Sequence, residues 1–305
     1  MRFEGLDLNL LVALDILLTE KNITKAGEKL FLSQPATSAA LARLRNYFDD
    51  DLLVQVGRNM VLTPMGESLS KPVSDLLIQM RTVLNNKNKF DPLMAKRNFT
   101  VMASDYTGNI ILPLLNQKLF QKAPYCSIEQ VMPSAEAEKQ IQKGKVDILL
   151  LPSLSILNEH PSMPIFEDEF VCVMWNENPL TKKEITLEEF KKAEHVLVKL
   201  GTSFNTPMID DWLIRNLNFT RKVAYTAINF SSVPLFLINT PYIAIMHKRL
   251  ALQFSQSLPI YICALPWEAP KINICMQWNK FQENDAGLKW FRKLIEEVVY
   301  ELIDK

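Results

Sequence analysis

The chain has 305 residues, enough for two or more domains, and its 48% hydrophobic and 22% charged residues are the composition of a soluble globular protein. Lys+Arg and Asp+Glu both number 34, so overall charge gives no support to a nucleic-acid, membrane or acidic partner. No apolar run reaches the roughly 18 residues of a membrane span, and Glu4, Asp7, Asp15 and Glu20 break the apolar start that a secretory signal would need.

Residues 7–19 place Leu10, Leu11, Leu14, Leu17 and Leu18 on one helical face, with Asp7 as N-cap. Thr24 reads as the cap of a short second helix carrying Ala26, Leu30 and Phe31. Ser33 caps a third, with Pro35 tolerated in its first turn and Ala36, Ala40, Leu41 and Leu44 facing inward. Three short helices with tight connections make a helix-turn-helix. The stretch LLVQVGRNMVLT (52–63) alternates around Gly57-Arg58-Asn59, as a hairpin does, and adds a wing.

Thr63-Pro64 opens a further helix in which Leu69, Val73, Leu76, Met80 and Val83 are spaced 4, 3, 4 and 3. That is a heptad seam of two to three heptads and predicts self-association, where the plainer alternative is an amphipathic helix packed on its own domain. Pro72 predicts a bend or a late start to the seam. Residues 85–97 are polar and read as a linker.

Beyond it, strands are predicted at 99–104, 126–132, 146–151, 170–175, 195–200, 221–225, 242–246 and 272–278, and helices at 107–121, 135–143, 206–216, 230–239 and 284–303. Alternating strands and helices indicate α/β units with largely parallel sheets.

Nothing in the sequence marks a metal or cofactor. Cys126, Cys172, Cys263 and Cys275 form no CxxC pair and read as buried reduced thiols of a cytoplasmic protein. His160, His195 and His247 lack zinc-ligand spacing. There is no GxSxG, P-loop or GxGxxG, and GTSFN (201–205) lacks the second glycine of a nucleophile elbow. Asp147 and the acidic residues at 167–169 read as structural or solvated.

The third helix is the chemically pointed element. A major groove admits an α-helix, and small residues let its backbone approach base edges. Gln34 can bond an adenine edge, Ser33, Thr37 and Ser38 can reach phosphates or bases, and the Thr37 methyl can meet a thymine methyl. Across 21–45, Lys21, Lys25, Lys29, Arg43 and Arg45 oppose only Glu28, so the basic surface is local. Arg58 at the hairpin tip can enter a neighbouring minor groove. The alternative is a small helical module with a polar face.

Residues 6–64 resemble the N-terminal domain of the LysR-type transcriptional regulators, through LDLNLLVALDILLTE, the T-x-A-G-x-x-L-x-L-S-Q-P-A-x-S core at 24–38, and the hairpin ending in LTP at 62–64. RFEGLDLNLLVALD and SQPATSAALARLRNYF most resemble the nodulation-regulator branch and its relatives that control aromatic-compound degradation. The resemblance implies an α+β multidomain chain: a winged helix-turn-helix over 1–64, a linker and dimerisation helix over 65–90, and a regulatory domain over 91–305 of periplasmic-binding-protein type. Lobe I would take about 97–167 and 270–305, and lobe II about 168–269.

The resemblance further implies that Gln34, Pro35 and Ser38 touch bases or backbone and that Arg58 is the wing arginine; with Thr24, Ser33, Thr37 and Arg43 they make the expected DNA-contacting set. Ala39 stands where many members carry a base-contacting arginine, which bears on which operator is read. A small aromatic or phenolic effector would sit between the lobes, against Ser104, Asp105, Tyr106 and Thr107 at one strand end and Thr202, Ser203, Phe204, Phe230 and His247 from the other lobe. Such helix N-termini offer N–H groups to an anion or hydroxyl, though Ser and Thr there also serve as plain caps. RNA polymerase and assembly into dimers and tetramers complete the implied partners, with no cofactor. The competing expectation is a cytoplasmic small-molecule-binding protein or enzyme with a helical interaction module.

Overall fold

The computed structural model describes residues 2–3, 6–85, 90–199 and 208–303. It divides into two compact units, Met1–Lys89 with Gln142–Gly144, and Phe90–Ile141 with Lys145–Lys305.

In the first unit a small antiparallel pair, β1 (Arg2–Phe3) and β2 (Leu6–Asp7), leads into α1 (Asn9–Glu20). The Asp7 carboxylate accepts from the Asn9 N–H at 3.1 Å, satisfying a donor that the helix cannot. The second helix, α2 (Ile23–Leu30), is capped two residues earlier than expected: Asn22, not Thr24, accepts from the Lys25 N–H at 3.0 Å. Thr24 lies inside the helix and is exposed. Helix α3 (Gln34–Phe48) is capped by Ser33, whose hydroxyl accepts from the Ala36 N–H at 3.4 Å. Leu14, Leu17, Ala26, Leu41 and Leu44 fill the core between the three helices. A Cβ at Gly27 would stand 2.9 Å from the Thr37 hydroxyl and 3.0 Å from the Leu32 carbonyl, so α2 and α3 cross this closely only because a glycine is there.

The wing is the hairpin β3 (Leu53–Val56) and β4 (Asn59–Leu62), in register from Leu53↔Leu62 to Val56↔Asn59, with Gly57 at φ +63° in its turn. One Asp50 carboxylate oxygen accepts from the Leu52 N–H and the Thr63 hydroxyl, both at 2.6 Å, and closes the hairpin base. Arg45 donates to the carbonyls of Asp51 (2.8 Å) and Leu53 (2.6 Å), fixing the wing to α3.

Helix α4 (Pro64–Asn85) starts at Thr63, whose hydroxyl accepts from the Gly66 N–H at 3.0 Å, and runs on through Pro72. The helix is thus continuous across Pro72. The predicted seam also divides. Leu69 and Val73 pack, with Leu77, into the core of their own unit. Leu76 and Val83 point outward, 43% and 69% exposed, and Met80 is half-buried.

The second unit begins with β5 (Asn98–Ala103), α5 (Asp105–Lys122), β6 (Ser127–Val131), α6 (Ala137–Gln142), β7 (Ile148–Pro152) and β8 (Ser162–Asp168). The chain then builds β9 (Phe170–Trp175), α7 (Leu187–Lys192), β10 (Glu194–Val198), α8 (Met208–Leu217), β11 (Lys222–Ala227), α9 (Val233–Leu237), β12 (Ile243–His247), α10 (Lys248–Ser255) and β13 (Ile260–Cys263). It returns through β14 (Ile272–Trp278) and ends in α11 (Ala286–Ile303).

Two five-stranded sheets result, ordered β6-β5-β7-β14-β8 and β11-β10-β12-β9-β13. Each contains one reversed strand, β14 in the first and β9 in the second, antiparallel to both neighbours. Both are the strands by which the chain enters from the other lobe. The chain changes sheets between Asp168 and Phe170 and again between Cys263 and Ile272. Apolar strands such as β7 and β12 are buried on both faces, as α/β layering requires. In lobe I the α11 ring of Phe291 stacks on Phe99 of β5 at 4.1 Å between centroids.

Candidate functional sites

The start of α3 carries the candidate nucleic-acid face. Ser33, Gln34, Pro35, Ala36, Ser38 and Ala39 are all exposed. Thr37 is not: it is fully buried against Gly27, and its hydroxyl donates to the Ser33 carbonyl at 3.0 Å. The expectation that Thr37 offers its methyl and hydroxyl to DNA is corrected. Threonine can be buried here because back-bonding within the helix satisfies its oxygen. Ala36, expected inward, takes the outward place.

The local basic surface is partly spent within the unit. Lys29 pairs with Glu20 at 2.5 Å, Arg43 with Asp7 at 3.0 Å, and Arg45 holds the wing. The Arg43 guanidinium in turn holds the Asp7 carboxyl below its ordinary range. Arg43 nonetheless stays 54% exposed. Arg58 is exposed at the wing tip, and Lys25 on α2 is exposed. The arrangement offers an amide and two hydroxyls on a slim helix end, flanked by cations at the wing and on α2, which is the division between base reading and phosphate anchoring that a duplex demands.

The second candidate site is a cavity of about 990 Å³ between the two lobes. Ser104, Tyr106 and Thr107 line it from the start of α5, and Phe230 and His247 from lobe II. Ser104 caps α5 by accepting from the Thr107 N–H at 3.3 Å, so part of its hydroxyl's capacity is used. Asp105 is not in the cavity wall. One of its carboxylate oxygens accepts from the Ser231 N–H and hydroxyl, both at 2.7 Å, and ties α5 to lobe II. Thr202, Ser203 and Phe204 lie outside the described residues.

The lining aromatics form a cluster. The Tyr106 ring stacks on His247 at 3.7 Å and 7°, and Phe230 meets His247 edge-on at 4.7 Å. Tyr106 also donates its hydroxyl to Asp168 at 2.6 Å. Burial pushes the Asp168 carboxyl and the Tyr106 hydroxyl upward, and lowers His247 to about 3, so its imidazole is neutral. Among the described residues no protein group bonds the buried His247 Nδ1.

Several lining residues carry no signal in the sequence. Trp212, Arg215 and Asn216 of α8 face the cavity because a buried bidentate pair, Arg221 to Asp210 at 2.6 Å twice, seats that helix. Ser153 and Ser155 follow β7, Lys271 lies on the second crossover, and Asn273 lies on β14. Only the strand-end position of Ser153 and Ser155 was readable, since ligands of open α/β sheets gather where strands end. Among the described residues no cluster of metal-ligand side chains occurs, and no helix is long and apolar enough to cross a membrane.

Two family descriptions match the chain: "Bacterial regulatory helix-turn-helix protein, lysR family" over residues 8–67, and "LysR substrate binding domain" over residues 95–299. Nodulation protein D of Bradyrhizobium sp. (strain ANU 289) is 36% identical over 97% of this chain and 88% of its own length. Nodulation protein D 1 of Bradyrhizobium elkanii is 35% identical over 97% and 94%. Among solved structures, a probable transcriptional regulator from Pseudomonas aeruginosa aligns over 96% of this chain and 97% of its own, at TM-score 0.66 and 24% identity. A full-length OxyR variant from the same organism aligns over 97% and 95%, at TM-score 0.72 and 16% identity. These two likenesses establish the fold.

Proposed function

The chain belongs to the LysR family of transcriptional regulators, on its nodulation-protein-D side, and from that membership we propose that an aromatic or phenolic small molecule in the inter-lobe cavity controls how the protein holds promoter DNA. It is a regulator and not an enzyme. The observation that carries the effector reading is the stacked pair Tyr106–His247 with Phe230 at its edge, an aromatic surface with an uncharged imidazole in a cavity of about 990 Å³. A planar ring matches that surface, and Ser104 and Thr107 supply polar atoms beside it.

In this reading Gln34 and Ser38 address base edges, with Ser33, Pro35 and Arg58 setting the approach and Arg43 and Thr24 on the flanking surface. Two chains pair through the outward part of α4, at Leu76, Met80 and Val83, so that two recognition helices meet two half-sites. Regulatory domains assemble pairs into a tetramer in the cytoplasm. The effector binds one arrangement of the lobes better than the other and thereby changes DNA bending and contact with RNA polymerase. The test is a thermal-shift series on the full chain with aromatic acids, phenols and flavonoids against aliphatic acids of similar size. The aromatic ligands raise the melting temperature in proportion to RT ln(1 + [L]/Kd). Stabilisation by the aliphatic set alone removes the proposal.

A further inference from the structure

Cys172 lies on β9 and Cys263 on β13, and they are direct cross-strand partners. The Asn176 N–H donates to the Pro259 carbonyl at 3.0 Å in the same register, and an antiparallel ladder alternates every two residues. Counting back from Asn176, Cys172 and Cys263 therefore form a hydrogen-bonded pair. Such a pair holds its Cα atoms about 5.5 Å apart, inside the roughly 4.4–6.8 Å that a disulfide spans. The side chains share one face of the sheet, which makes the two thiols neighbours on it.

The two thiols differ in the way a reactive pair does. Cys172 is fully buried, and its Cys263 neighbour and its burial raise its thiol. Cys263 is half-exposed, and the neighbouring Cys172 lowers its thiol. Sequence spacing alone hid this, because 91 positions separate them.

We propose that Cys172 and Cys263 are an oxidisable dithiol that takes a hydroperoxide and closes to a disulfide. The Cys263 thiolate attacks the peroxide, forming an S–O bond as the O–O bond breaks and hydroxide leaves to take a proton. The Cys172 thiolate then attacks the Cys263 sulfur, forming the S–S bond as the S–O bond breaks and water leaves. Two thiols and one hydrogen peroxide give one disulfide and two waters. The bond joins the two strands next to both crossovers, so it staples lobe II at its hinge edge. This reaction stands apart from the effector reading, since neither cysteine lines the cavity.

The experiment treats the full chain with hydrogen peroxide and counts thiols under denaturing conditions. The count falls from the four present to two, the intact mass drops by two hydrogens, a peptide map joins Cys172 to Cys263, and dithiothreitol reverses all three. In Cys172→Ala the count falls by one, and the mass rises by oxygen at Cys263. Retention of all four thiols, a bond to Cys126 or Cys275, or oxygen addition at Cys263 in the unsubstituted chain would each overturn the assignment.

Discussion

The Tyr106 hydroxyl donates to the Asp168 carboxylate at 2.6 Å, joining the start of α5 to the residue at which the chain leaves lobe I. Asp168 also accepts from the backbone N–H groups of Glu169 (2.8 Å) and Arg249 (3.3 Å), so three donors meet one buried carboxylate at the first crossover.

Tyr106→Phe removes one donor and leaves the rest, which costs about 1–3 kcal/mol of stability. Burial already raises Asp168, so the folded chain takes up this proton more readily than the unfolded one. Its contribution to stability therefore falls as pH rises through the folded pKa, and loss of the tyrosine bond deepens the penalty on the neutral side. Urea melts read the loss, larger at pH 7 than at pH 4. An equal loss at both values would detach the hydroxyl from the carboxylate.

Gln34 and Thr37 separate reading from folding. Gln34→Ala costs about 1–3 kcal/mol on the cognate operator and little on random DNA. Thr37→Val loses the bond to the Ser33 carbonyl beside Gly27, so it lowers thermal stability by about 0.5–1.5 kcal/mol and leaves the operator-to-random ratio intact. Anisotropy titrations and melts on both variants decide it. A changed ratio in Thr37→Val returns that residue to the groove.

Operator affinity falls steeply with salt because phosphate contacts release counterions, and Arg58→Ala lowers the slope of log K against log[salt] by about 1. An unchanged slope places the wing tip away from phosphate.

The seam on α4 is tested by its two halves. Leu76→Glu with Val83→Glu, both on exposed positions, splits oligomers while the melting curve of each unit stays put. Val73→Ala opens the core instead, at about 1–3 kcal/mol, with no change of mass in dilute solution. Sedimentation read beside thermal melts distinguishes the two. Oligomers that survive the double substitution assign pairing to another surface.

Acid weakens the regulatory domain through two histidines. Burial lowers His247 to about 3 and, with Arg221 nearby, His195 to about 4, against an ordinary 6.5. The unfolded chain then binds these protons first, so stability is complete above pH 6.5 and declines as pH falls toward 4, by about 1.4 kcal/mol per pH unit per histidine. His247→Phe keeps a ring against Tyr106 and flattens this limb by one proton. Urea midpoints from pH 4 to 7 provide the slope, and an unchanged slope would show that His247 is protonated in the fold.

The sequence carried the helix-turn-helix and the wing because their signals are local: caps, a leucine face, and Gly57 between alternating residues. Strands such as 170–175 and 242–246 were legible as unbroken apolar runs. Strands β8 and β13 were not, since Pro164 interrupts the first and the second is four residues long behind Pro259. Helices α7 and α10 are short and rich in charge. Thr37 was misread because its residue type outweighed its spacing: 37, 40, 41 and 44 form one inward stripe, which Gly27 completes from another helix. The cavity wall on α8 depends on the Arg221–Asp210 pair, a contact that hydrophobic periodicity does not signal. In the α4 seam, periodicity named the apolar stripe but could not divide it between the chain's own core and a second copy.

The reversed strands have one more implication. Lobe II runs from β9 to β13, and these two strands are hydrogen-bonded neighbours, so it begins and ends at the same edge of its sheet. Its whole fold is a cassette inserted between two adjacent points of lobe I. Exchange of residues 170–263 between relatives would move half of the binding pocket as a single piece and leave the host sheet's strand order unbroken, so ligand preference can evolve by transplanting one half against a constant other half.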